Sequence, residues 1–143
     1  MPRFEPINES ERAWVADNVA KACAFAKKYG GDPETCQSAS LAALDHVWCL
    51  FTDNLRETGT DPNHVINMVG LAFGHHLATA CDLSWVVATD EQGTEIALHA
   101  QPGDILIYPT NLVAKRWIAR DGAFMEKLFV QMEADIARMR SAR

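Results

Sequence analysis

Leu83-Ser-Trp-Val-Val-Ala-Thr-Asp-Glu-Gln-Gly-Thr-Glu-Ile-Ala-Leu-His-Ala-Gln-Pro-Gly-Asp-Ile-Leu-Ile-Tyr-Pro-Thr-Asn-Leu-Val-Ala-Lys-Arg116 is the stretch whose reading decides the fold. Its first part, Leu83 to Ala88, is apolar except for Ser84 and centres on Trp85, Val86 and Val87. Aromatic and β-branched residues in a short run favour a pleated, partly buried strand. In Asp90-Glu91-Gln92-Gly93 the glycine can take the positive φ that closes a hairpin loop. Thr94 to His99 then alternates, with Ile96 and Leu98 on one face and Glu95, Ala97 and His99 on the other, the period of a half-buried strand. Pro102-Gly103 suits a type II turn. Ile105 to Tyr108 reads as the third strand, stopped by Pro109, which cannot donate to a ladder. The expectation is an α+β fold with a three-stranded antiparallel meander. N-terminal helices precede it and C-terminal helices follow it, and they cover its apolar face.

Working outward, Asp61-Pro62 starts a helix over Asn63 to about Ala80. Ile66, Val69, Phe73, Leu77 and Ala80 share one side, and Gly70, Gly74 and Ala78 form an adjoining ridge of small residues. Two glycines inside a helix cost about 1 kcal/mol each relative to alanine, so another element is expected to approach closely along the ridge. This helix reads as the central one. Before it, Asn8 and Glu11 form a capping box opening a helix with Val15, Val19, Ala22, Ala26 and Tyr29 at helical spacing. That helix ends with Lys27, Lys28 and Gly30-Gly31. A second helix, beginning near Ser38 or Ser40, carries Leu41, Leu44, Val47, Trp48, Phe51 and Leu55 as its stripe, with Asp45, His46, Asp53 and Asn54 opposite. After the sheet, Thr110 can cap a short helix bearing Val113, Trp117 and Ile118, broken at Asp121-Gly122. A last helix, about Ala123 to Met139, presents Phe124, Leu128, Met132, Ile136 and Met139.

Trp85-Val86-Val87, Asp90, Gly93, Leu98, Pro109 and Val113-Ala114-Lys115-Arg116 together resemble the core of a bacterial domain-of-unknown-function family, number 3806. Gly70 and Gly74 fit the same pattern. The resemblance covers residues 60 to 120 and implies a small bacterial α+β domain. It implies no reaction and no catalytic residue.

The totals exclude several classes. At 143 residues, one domain spanning the chain is expected. A formal net charge of −6 argues against nucleic acid as a general partner. The N-terminus reads as polar, with no leader, and no apolar run approaches a membrane span, so a cytoplasmic location without membrane contact is the default. The charge is uneven: residues 1–110 hold 6 Lys/Arg against 15 Asp/Glu, and residues 111–143 hold 7 against 4. Cys23, Cys36, Cys49 and Cys81 lack C-x-x-C spacing and read as structural thiols. Phosphate-loop, dinucleotide and nucleophile-elbow motifs are not present, and no cofactor is implied.

Six residues remain as candidates. Lys115-Arg116 open a helix on this reading, where cations oppose the dipole, and they can bind an anion or pair with Asp90-Glu91. His75 and His76 are adjacent on a helix and point about 100° apart, which disfavours one shared metal. His99 would have to meet them across the sheet–helix junction, with Cys81 and Asp82 nearby. Trp85 is the sixth. Asp90 and Asp104 read as turn residues. The leading expectation is a non-catalytic module binding a protein or a small anionic ligand. Its rivals are a metal-dependent hydrolase using His75, His76 and His99, and a structural homodimer joined along the small-residue ridge or through Trp117 and the last helix.

Overall fold

The computed structural model describes residues 3–28, 40–59, 61–119 and 122–141. Its order is β1 (Arg3–Pro6), α1 (Glu9–Lys28), α2 (Leu41–Thr58), α3 (Asn63–Cys81), β2 (Ser84–Asp90), β3 (Gly93–Ala100), β4 (Ile105–Ile107), α4 (Pro109–Ala119) and α5 (Met125–Ser141). Helices lie at both ends of an antiparallel sheet, as the α+β reading requires. The expected glycine stop after α1 and Cys36 fall outside the described residues.

The sheet has four strands in the order β1-β2-β3-β4, not three. The added strand pairs with β2 in the register Phe4↔Ala88 and Pro6↔Val86. Proline near the N-terminus reads as a strand breaker, but an edge strand tolerates it because one side of its backbone needs no partner. Phe4 also stacks on His99, with ring centroids 4.3 Å apart. That contact is invisible in a four-residue segment.

The central hairpin forms as read. Trp85 pairs with Leu98 and Val87 with Ile96. Gly93 takes φ 131°, and the Asp90 carboxylate accepts the Gln92 N–H at 2.8 Å. The second turn occupies 101–104 with Pro102 and Gly103 at its centre. Gly103 takes the positive φ, 101°, that the third position of a type II turn requires, and Asp104 also lies at positive φ, 49°.

Leu98, Ile105 and Ile107 point into the main core with Trp48, Phe73, Leu44 and Val69 from the helices. Strand alternation sends their neighbours the other way. There Val86, Ala88 and Ala97 form a separate small cluster under Phe4, Leu106 and Tyr108. The helices therefore cover one face of the sheet. Helix α3 contacts α1, α2, α4 and α5, which confirms it as the central helix. Ala80, expected in its buried stripe, is exposed at the helix end.

The close approach predicted by the glycines is present. A Cβ on Gly70 would sit 2.8 Å from Thr110 Cα, and one on Gly74 would sit 2.6 Å from Trp85 Cη2 and 2.8 Å from Pro109 Cγ. The ridge is thus occupied within the chain by the start of α4 and by the Trp85 indole. It is not a free self-complementary patch, which removes the ridge version of the homodimer. Helix α4 begins at Pro109 itself, proline in the first helical position, and Thr110 lies inside the first turn rather than capping it.

Helix starts divide into local and distant solutions. In α1 the box closes as read: Asn8 N–H donates to Glu11 Oε1 at 2.7 Å and Glu11 N–H to Asn8 Oδ1 at 2.8 Å. Ser40 caps α2 through the Ala43 N–H. Asp45, read as a solvent-face residue of α2, is buried instead. Its Oδ1 accepts the Phe124 and Met125 N–H groups at 2.8 and 2.9 Å, and Oδ2 accepts from Glu126 at 3.4 Å. A side chain of α2 thus caps α5, where the orphan N–H donors and the helix dipole both favour a carboxylate.

Candidate functional site

Trp85 is held with its indole edge against Gly74, which leaves one side of the ring forming a wall beside α1. His75, one residue beyond that glycine on α3, continues the wall. Opposite them α1 contributes Arg12, Val15, Ala16, Val19 and Ala20, with Ile7 closing the end, around a groove of ≈ 320 Å³. Below it Val15, Val19 and Leu71 pack with Trp85 and Ile96 as a distinct cluster, so the floor is packed hydrocarbon. Three nitrogen-bearing side chains, Arg12, His75 and Trp85, interrupt this apolar lining. One contact of the Arg12 guanidinium, to the Ile7 carbonyl oxygen, is long at 3.5 Å. Burial, reinforced by the neighbouring His76, lowers the His75 pKa from its usual 6.5 and keeps the ring neutral at physiological pH.

The other candidate positions separate. His75 and His76 have ring centroids 6.5 Å apart and interplanar 72°, so they do not converge on one point. His99 lies on the sheet face away from the helices, stacked on Phe4 and 3.4 Å from Asp104 Oδ1. The sheet itself stands between His99 and α3, because His99 alternates with the inward-facing Leu98. The three-histidine site is therefore not assembled. Among the described residues no group of three His, Cys, Asp or Glu side chains is placed to hold a metal ion.

Lys115 and Arg116 do not open a helix. Helix α4 starts six residues before Lys115, and Arg116 lies in its last turn, where a cation suits the dipole. The expected assistance of a helix N-terminus to this basic pair is therefore not there. Arg116 stands 5.6 Å from the Phe124 ring centroid and lines a shallow hollow with Lys127 and Gln131. Cys81 and Asp82 serve the end of α3, where their carbonyl oxygens accept from the Arg140 guanidinium. Burial raises the Cys49 and Cys81 pKa values, aided by Asp45 and Asp53 for the first and by Glu133 for the second. Neither thiol has the depressed pKa that a nucleophile needs.

A larger hollow of ≈ 400 Å³ lies by the β2–β3 hairpin, lined by Asp90, Glu95, Tyr108 and Asn111. Its polar groups serve one another: Glu95 Oε2 accepts from Asn111 at 3.0 Å, and Asp90 holds its own turn. The α1 groove matches small-molecule sites better, having apolar walls with few polar groups.

Val15, Val19 and Arg12 were missed as site residues by sequence reasoning. The signal was present but ambiguous. Arg12 begins the stripe that Val15 and Val19 continue at i+3 and i+7, and such a stripe reads as core whether or not a neighbour fully covers it.

Fold and groove together define an α+β domain whose helices stack on one face of a four-stranded antiparallel sheet. Residues 46–126, more than half of the chain, match the model of the family described as "Domain of unknown function (DUF3806)". The chain belongs to this family, and the match extends beyond the 60–120 span of the resemblance. A crystal structure of a protein from Bacteroides thetaiotaomicron VPI-5482 is similar, with TM-score 0.66 and 12% sequence identity over 92% of this chain. At that identity the likeness shows the fold alone. This chain spans about half of that protein's length, 47%. No curated protein matches it. Among the described residues no helix is long and apolar enough to cross a membrane.

Proposed function

We propose that this chain is a non-catalytic small-ligand-binding module of the bacterial cytosol, with its site in the groove between α1 and the Trp85–His75 wall. The groove carries the reading: it is concave, apolar, floored by a packed cluster and edged by three nitrogen-bearing side chains. Its volume lies at the small end of the ligand-site range of roughly 300–1,000 Å³. A small molecule therefore fits better than a helix or strand of a partner protein. The non-catalytic reading draws support from the raised thiol pKa values and from histidines that do not converge. The free thiols of Cys49 and Cys81 suit a reducing compartment, and a bacterial setting agrees with the source of the similar structure.

Ala16 is exposed on the groove side of α1, so Ala16→Trp fills the groove without touching the core. The test is to follow backbone amide shifts while small carboxylates, alcohols and amines are added. Perturbations are expected to cluster at Val15, Ala16, Val19, His75 and Trp85, and to vanish in Ala16→Trp at unchanged unfolding midpoint. Perturbations that persist in the plugged variant, or that lie elsewhere, overturn the site.

A further inference from the structure

We infer that the groove selects a small monocarboxylate with an apolar body, its carboxylate held by Arg12 and His75 and its body lying on Val15, Val19 and Trp85. This rests on the groove being the ligand site and adds what the ligand must be. The argument is one of complementarity. Hydrocarbon lines most of the surface, and burying an apolar body there is favourable in proportion to area. The polar side chains of the lining are a permanent cation, an imidazole able to donate a hydrogen bond and an indole whose N–H is a donor only, and none of them is an acid. A guanidinium presents paired N–H donors that match a carboxylate, and such charge-assisted bonds are roughly twice as strong as neutral ones. Glu11, the acid beside Arg12 in sequence, is turned to the Asn8 N–H at 2.7 Å as part of the capping box. A ligand amine would meet the guanidinium as a like charge.

Size limits the ligand as well. A groove of ≈ 320 Å³ holds on the order of ten water volumes at about 30 Å³ each. That is the scale of a phenyl or short alkyl chain with one head group, too little for a nucleotide or a sugar chain. The net charge of the chain is −6, which repels anions at long range. Selection must therefore act locally, within a Debye length of about 8 Å at physiological salt.

The experiment is a matched series on the full chain: 3-phenylpropionate, 3-phenylpropanol and 3-phenylpropylamine, titrated at pH 7.5 and followed by the amide shifts of Ala16, Val19 and His75. The carboxylate is expected to bind roughly tenfold tighter than the alcohol, the ratio of one net charge-assisted hydrogen bond, with the amine weakest. Arg12→Gln should abolish the carboxylate's advantage and leave the alcohol's affinity unchanged. Equal binding of all three, tightest binding of the amine, or a carboxylate preference that survives Arg12→Gln overturns the ligand assignment while the groove stands. Perturbation of none of the groove amides by any member overturns the groove itself.

Discussion

Along one flank of α3, Gly70 and Gly74 admit the start of α4 and the Trp85 indole to distances that a methyl group does not allow. About 100° around the same helix, His75 faces an open groove whose far wall is α1. On the closed flank atoms of the chain occupy the space that a Cβ at either glycine would need. The open flank has a packed floor and nothing described above it. The two are coupled through one residue, since the indole that closes against Gly74 is also the wall of the groove. Tight packing on one side thus fixes the shape of a vacancy on the other, and a ligand site needs that preorganisation.

The sharpest way to break the comparison is Gly70→Ala. The new Cβ meets Thr110 Cα at 2.8 Å and its N at 3.2 Å, and backbone cannot swing aside. Overpacking costs about 1–3 kcal/mol, offset by about 1 kcal/mol of helix propensity. A net loss of up to about 2 kcal/mol, the upper end of that difference because the neighbour is backbone, is expected in urea unfolding. A stabilised variant would show that α4 is not seated on the ridge. Gly74→Ala meets side chains rather than backbone, Trp85 Cη2 at 2.6 Å and Pro109 Cγ at 2.8 Å. The indole can tilt but the proline ring is fixed to the start of α4, so a loss of similar size, up to about 2 kcal/mol, is expected. The tilt moves the indole toward the groove. Amide shifts at Val15 and Val19 are therefore expected in this variant and not in Gly70→Ala.

The open flank responds to pH instead. Burial, then His76, depresses the His75 pKa below its ordinary 6.5. On acidification the unfolded chain takes up the proton first, so the folded state loses stability as pH falls below 6.5, until the lowered folded value is passed. Above 6.5 this residue contributes no pH dependence. Melting at pH 8 and pH 5.5 should show a larger drop for the wild type than for His75→Gln. Equal drops would place the imidazole in water. The smallest effect is expected from Asn8→Ala, an exposed local cap worth about 1 kcal/mol. It should loosen the first turn of α1 and leave the closed flank unchanged by hydrogen exchange.

What was legible in the chain follows from range. The capping box of Asn8 and Glu11 spans three residues, the hairpin around Gly93 spans a turn, and a helical glycine ridge announces a close neighbour without naming it. Each is local chemistry, and each formed as read. The Asp45 cap joins groups 79 residues apart, so on its own helix that carboxylate looked like any solvent-facing acid. Strand β1 is four residues that pair only because β2 offers an edge and Phe4 finds His99. The Lys115-Arg116 pair reads as opening a helix, yet it lies well inside α4, with Arg116 in the last turn, where a cation suits the dipole.

By itself the sequence determined the α+β class, the central place of α3, the meander of β2 to β4 and the need for something to lie against Gly70 and Gly74. Only the tertiary structure decided that Thr110, Pro109 and Trp85 are those neighbours, that His99 is cut off from His75 and His76, and that Arg12 and His75 line one groove. The physical reason is that spacing along a chain sets which face a side chain takes, through the periods of helix and strand. Which faces meet, and where they leave a gap, depends on how all the elements close over one core.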